Sequence, residues 1–74
     1  MKKVMFVTTT LTYANKGRDA LKRNRIPSEV KKVQGGTAAG CLYGITTSAE
    51  NSGFAEKVLN ENGVRVISVR DVTE

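Results

Sequence analysis

The chain contains one cysteine, Cys41, and no histidine, so it can form no internal disulfide and has no imidazole with which to hold a structural metal. Its 74 residues must be held together by apolar burial. A chain this short buries a smaller fraction of its surface than a longer one, so its core offsets chain entropy only narrowly. A single domain over residues 1–74 is the expected organisation. A lone cysteine fits a reducing compartment. The basic start Met1-Lys2-Lys3 is followed only by the short apolar run Val4 to Val7, too short for a signal-peptide core or a membrane span. The expected location is the cytoplasm.

Residues Lys3 to Thr9 are rich in β-branched types and apolar without alternation in the middle, the pattern of a central strand. Thr10 or Thr12 can cap a following helix, because a hydroxyl there accepts a bond from a free N–H of the first turn. Tyr13, Ala14, Gly17, Ala20 and Leu21 recur at helical spacing, with charged residues between them. Gly17 lowers helix propensity but permits close approach to the sheet. Ile26-Pro27 closes the segment, since a residue before proline is pushed out of helical geometry.

Ser28 to Gln34 is weakly strand-like, with Val30 and Val33 out of strict alternation, which predicts an edge strand with a bulge. A run of small residues, 35–40, leads to Cys41, and Leu42 to Thr47 reads as the third strand. The second helix is expected to start at Thr47 or Ser48, and Thr47-Ser48-Ala49-Glu50 has capping-box spacing. Phe54, Ala55, Val58 and Leu59 form that helix's expected buried stripe, Gly63 its left-handed stop, and Val64 to Val72 the last strand. The two halves share their element types, and no sequence repeat is read between them. The order β-α-β-β-α-β with right-handed crossovers predicts an α+β, ferredoxin-like two-layer sandwich: a four-stranded antiparallel sheet with two helices on one face.

The net charge of +5 is uneven. Residues 1–40 carry nine Lys or Arg against Asp19 and Glu29, and residues 41–74 carry three against five acids. A basic surface attracts nucleic acid, acidic lipid or an acidic protein, and an ordinary solvated helix face has the same composition. Nucleic-acid binding is disfavoured: an RNA-recognition domain stacks bases on aromatic residues of its central strands. Only Phe6 and Tyr43 are placed there, read as one core residue and one sheet-surface residue.

Chemistry is sparse. With no histidine, no CxxC and no acids paired in one loop, the chain lacks the usual groups of hydrolytic, transfer or metal sites, and neither an enzyme, a metal nor a cofactor is expected. Gly35, Gly36 and Gly40 do not make a phosphate-binding loop, because a strand follows them rather than a helix N-terminus. Cys41 is the remaining candidate. Small residues before it offer little bulk to screen a thiol, and such a loop can turn backbone N–H groups toward one point, favouring the thiolate. A free cysteine is also among the most buried residue types, so Cys41 equally fits an inert place in the third strand.

Several of these features carry a family resemblance: Phe6-Val7-Thr8-Thr9-Thr10, a helix ending Ala20-Leu21-Lys22 before Ile26-Pro27, and small residues before a single cysteine. The whole chain resembles the selenium/sulfur carrier protein-like family. In that family glycine usually follows the cysteine; here Gly40 precedes Cys41 and Leu42 follows it. The resemblance implies a carrier role for Cys41 as the covalent thiol. Gly35, Gly36, Thr37 and Gly40 would support the loop, and Lys31 or Lys32 would raise the local potential. Lys16, Lys22, Arg23 and Arg25 would then dock an acidic protein partner, such as a desulfurase-like donor or an acceptor enzyme. The chain is expected to be a monomer or a weak homodimer. The alternative is a nucleic-acid-binding or small-ligand regulatory domain with an inert cysteine.

Overall fold

A computed structural model describes residues 2–33 and 42–73. Four strands, β1 (Lys2–Thr8), β2 (Ser28–Val33), β3 (Leu42–Ser48) and β4 (Ser68–Thr73), alternate with α1 (Leu11–Arg23) and α2 (Ser52–Glu61). The sheet is antiparallel, in the order β2-β3-β1-β4. β1, read as central, pairs with both β3 and β4, whereas β2 and β4 are the edges. This is the α+β, ferredoxin-like sandwich expected from the order of elements.

One face of the sheet carries the main core. Val4, Phe6 and Ile45 join Ala14, Ala20, Leu21, Ala55, Val58 and Leu59 of the helices, and Phe6 lies opposite Ile45 across the β1–β3 ladder. Directly opposed residues share a face, and Thr8 is opposite Tyr43. Tyr43 therefore lies on the helix side and packs against that core, which corrects its expected place on the open sheet surface. The open face has a smaller apolar patch. Val7 and Val33 are buried there beside Gly44, and Met5 reaches over that glycine.

This second patch explains β2. Its register with β3 runs unbroken from Ser28↔Thr47 to Val33↔Leu42, so the expected bulge is absent. Val30 packs on the helix-side core while Val33 is buried on the other face. Two valines three positions apart belong to opposite faces of a regular strand.

Thr10 caps α1, its hydroxyl accepting from the Tyr13 N–H at 3.1 Å. Gly17 is buried where α1 crosses both the sheet and α2. A Cβ built there would lie 2.5 Å from Ile45 Cδ1 and 2.7 Å from Leu59 Cδ2. The capping box expected from Thr47 does not form. The Thr47 hydroxyl donates to the Pro27 carbonyl at 2.9 Å, and Ser48 caps a 3-10 turn, Ala49–Asn51, that precedes α2. Phe54 is also corrected, being 51% exposed. It sits on the Val58 flank of the stripe, and α2 packs mainly on α1 and β3, which leaves that flank uncovered. The last strand starts later than expected, at Ser68, with Val64 buried in the lead-in and Ile67 donating its N–H to the Val7 carbonyl at 2.8 Å.

Both helices end in the same way. In α1 the Ile26 N–H reaches the Leu21 carbonyl and the Arg25 N–H reaches that of Lys22. In α2 the Val64 N–H reaches Leu59 and the Gly63 N–H reaches Asn60. These are paired Schellman motifs, each with an apolar contact between the third residue from the helix end and the residue after the turn. Asn24 and Asn62 each add a side-chain bond of 2.8 Å to the carbonyl four residues back, on Ala20 and Val58. Leu21, Asn24 and Ile26 thus correspond to Leu59, Asn62 and Val64 at a constant offset of 38. No repeat was expected from the sequence, because its left-handed position is Gly63 in one copy and Arg25, with φ of 61°, in the other.

Candidate functional site

The hairpin that joins β2 to β3 carries the sequence candidates. Cys41, Gly35, Gly36, Thr37 and Gly40 lie outside the described residues. The described flanks fix where that segment is attached. Val33 pairs with Leu42, and Thr8 pairs with Tyr43, so the segment leaves and re-enters the sheet at the end where β1 finishes and α1 begins.

Lys31 and Lys32 are both exposed, and as consecutive strand residues they project to opposite faces. Lys31 lies opposite Gly44 on the open side and approaches Glu29 at 4.0 Å, while Lys32 lies opposite Tyr43, two residues from Cys41. The structure does not bring the two lysines together, and Lys32 is the one on the helix side.

Of the four candidate docking residues, Lys16, Lys22 and Arg23 line one shallow depression of α1 together with Asp19, and Arg25 is exposed just past the helix. Lys22, Arg23 and Arg25 sit at the end of α1 that leads into β2, near Ser28 and its partner Thr47. Thr47 is five residue steps along β3 from Leu42, about 17 Å at the usual rise of ~3.3–3.4 Å. A partner engaging both the cations and the Leu42 end of β3 must span the sheet.

A cavity open to solvent lies at that same distal end. Its volume is about 750 Å³, and its lining includes Lys2, Lys3, Arg18, Lys22, Ile26, Pro27 and Ser28. Sequence reasoning missed it, because its walls come from β1, α1, β2 and β3, and only pairing brings Lys3 opposite Ser48 and Ser28 opposite Thr47. The acids in the wall, Asp19 and Glu29, have cations close by: Arg18 lies 3.7 Å from Asp19, and Lys31 approaches Glu29. Ser28 Oγ is buried without a hydrogen-bond partner. Among the described residues no group of three or more His, Cys, Asp or Glu side chains is placed to hold a metal ion. Among the described residues no helix is long and apolar enough to cross a membrane.

On the open face β1 and β3 present no aromatic residue. Phe6 is 1% exposed under the helices and Tyr43 packs on the same side, so neither is available to stack bases on that face. No protein-family model matches the chain, and no curated protein matches it. What the comparisons leave is the class defined by the fold, a small ferredoxin-like α+β domain.

Proposed function

We propose that the protein is a small carrier that accepts sulfur or selenium on Cys41 and passes it to a partner enzyme in a reducing, cytoplasmic setting. The Cys41 thiolate attacks the terminal sulfur of a donor persulfide. A new S–S bond forms to Cys41, the donor S–S bond breaks, and the donor leaves as a thiolate with the proton retained on the transferred sulfur. An acceptor nucleophile then attacks the same atom and releases the Cys41 thiolate. The transfer needs no external oxidant or reductant.

The observation that carries this reading is the attachment of the segment. The only thiol of the chain directly precedes Leu42, where β3 starts, and the connection that holds it consists largely of Gly, Ala and Thr. Lys32, across from Tyr43, adds positive potential on that side. The family resemblance of the sequence supports the same role.

Alkylation of Cys41 by a thiol reagent, followed across pH in the native and urea-unfolded chain, tests the proposal. The expected result is faster reaction at neutral pH in the folded protein, with the half-point of the pH profile below the ~8.5 of a free cysteine. Slower reaction in the folded state, with no such displacement, would end the carrier role.

A further inference from the structure

The cavity at the distal end of the sheet lies at the end of β3 opposite Leu42 and has its own chemistry. Four cations, Lys2, Lys3, Arg18 and Lys22, stand in its wall against two acids, and both acids already have a cation within 4.0 Å. Ile26 and Pro27 give it an apolar side. Its volume falls within the ~300–1,000 Å³ typical of small-molecule sites.

Ser28 supplies an independent sign. A buried hydroxyl without a partner is costly, so each such group calls for an explanation. The Schellman repeat shows what a purely structural solution looks like. Two residues past Ile26 stands Ser28, whereas two residues past Val64 stands Val66, which packs against the core. The first half places an unpaired hydroxyl and a cavity where the second places a valine. In the present rotamer Ser28 Oγ is covered; turning about χ1 would let it donate to a bound acceptor.

We propose that this cavity binds a small organic anion, one carrying carboxylate or phosphate oxygens on an apolar body. Lys2, which shares the helix-side face of β1 with Val4, and Lys22 hold the anionic group, Ser28 donates to it, and Ile26 and Pro27 cover the apolar part. The excess of cations in the wall selects against cations and neutral ligands.

The test is an NMR titration of the ¹⁵N-labelled full chain with phenyl phosphate and with benzoate at constant ionic strength, using sodium chloride and benzyl alcohol as controls. The expected result is saturable movement of the Lys3, Ser28, Thr47 and Ser48 amides with at least one of the two anions and with neither control. Lys22→Gln removes a charge-assisted bond and should weaken binding roughly tenfold. Ser28→Val should keep the native spectrum, raise the urea midpoint and weaken binding several-fold. The proposal is overturned by shifts that do not saturate, by shifts spread equally over Lys16, Lys57 and Arg65, by equal shifts with chloride, or by affinity unchanged in both variants.

Discussion

Replacing Gly17 by alanine sets two known effects against each other. Alanine in a helix interior is favoured over glycine by about 1 kcal/mol. The added methyl, however, would lie 2.5 Å from Ile45 Cδ1 and 2.7 Å from Leu59 Cδ2, and both of those residues are fully buried. Their methyls have no solvent to swing into, and overpacking of this kind costs about 1–3 kcal/mol. The net expectation for Gly17→Ala is a loss of about 1 kcal/mol, or roughly 4–8 °C in Tm for a domain of this size. Gly53, in the first turn of α2, is the control: nothing lies within 4 Å of a Cβ built there, so Gly53→Ala should stabilise by about 0.5–1 kcal/mol. The assay is urea unfolding with an unchanged m-value, so that a shift in midpoint reads directly as stability. Ile45→Val removes the closest methyl; alone it should cost about 0.5–1.5 kcal/mol, and in the Gly17→Ala background much less. Gly17→Ala stabilising as much as Gly53→Ala, or an Ile45→Val cost equal in both backgrounds, would refute the tight crossing of α1 over β3 and α2.

Further substitutions test other parts of the fold. Arg25 holds φ of 61° at the position where the second helix has Gly63 with φ of 70°. Arg25→Gly should therefore stabilise by about 0.5–1 kcal/mol and Gly63→Ala destabilise by about 1 kcal/mol, both read from urea midpoints. Phe54→Ala should cost less than about 1 kcal/mol at a half-exposed position, whereas Leu59→Ala, fully buried in the same helix, should cost about 2–5 kcal/mol. Equal losses in thermal denaturation would show that Phe54 is covered. Asn24→Ala removes the 2.8 Å bond to the Ala20 carbonyl and should lower stability by about 0.5–1.5 kcal/mol.

The order of elements and the central place of β1 were legible because they rest on local signals: an unalternating apolar run, a threonine cap, a helical stripe, and a glycine stop. Gly17 was legible for the same reason, since a glycine on the buried side of an otherwise regular helix has few other uses. The failures share a cause. Val30 and Val33 looked irregular only while one buried face was assumed, and Phe54 looked buried because its spacing matches the stripe of Ala55, Val58 and Leu59. Tyr43 changes side with a single step of register. Among the site residues, Lys31 and Lys32 were neighbours in sequence but not in space, and Lys22, Arg23 and Arg25 fell at the end of the sheet opposite Leu42. The cavity was invisible because its lysines and Ser28 come from strands that become neighbours only on pairing.

The repeated helix endings separate what the fold requires from what it does not. A leucine, an asparagine, a left-handed residue and a β-branched residue return each helix to the sheet, and both halves obey this. After that point the halves diverge: Val66 packs against the core, while Ser28 leaves a buried hydroxyl unpaired beside an open, cation-rich cavity. The divergence has no explanation in stability, because an apolar residue at position 28 would remove the unpaired group and fill space. A stability cost confined to one half, next to Lys2 and Lys22, fits the anion site proposed there. That site lies at the Thr47 end of β3, and Leu42, which Cys41 precedes in sequence, starts the other end; the residues between, Gly44 to Thr47, are all buried. Binding at one end therefore reaches the other only through a packed strand, and Ser28→Val should leave the alkylation rate of Cys41 unchanged.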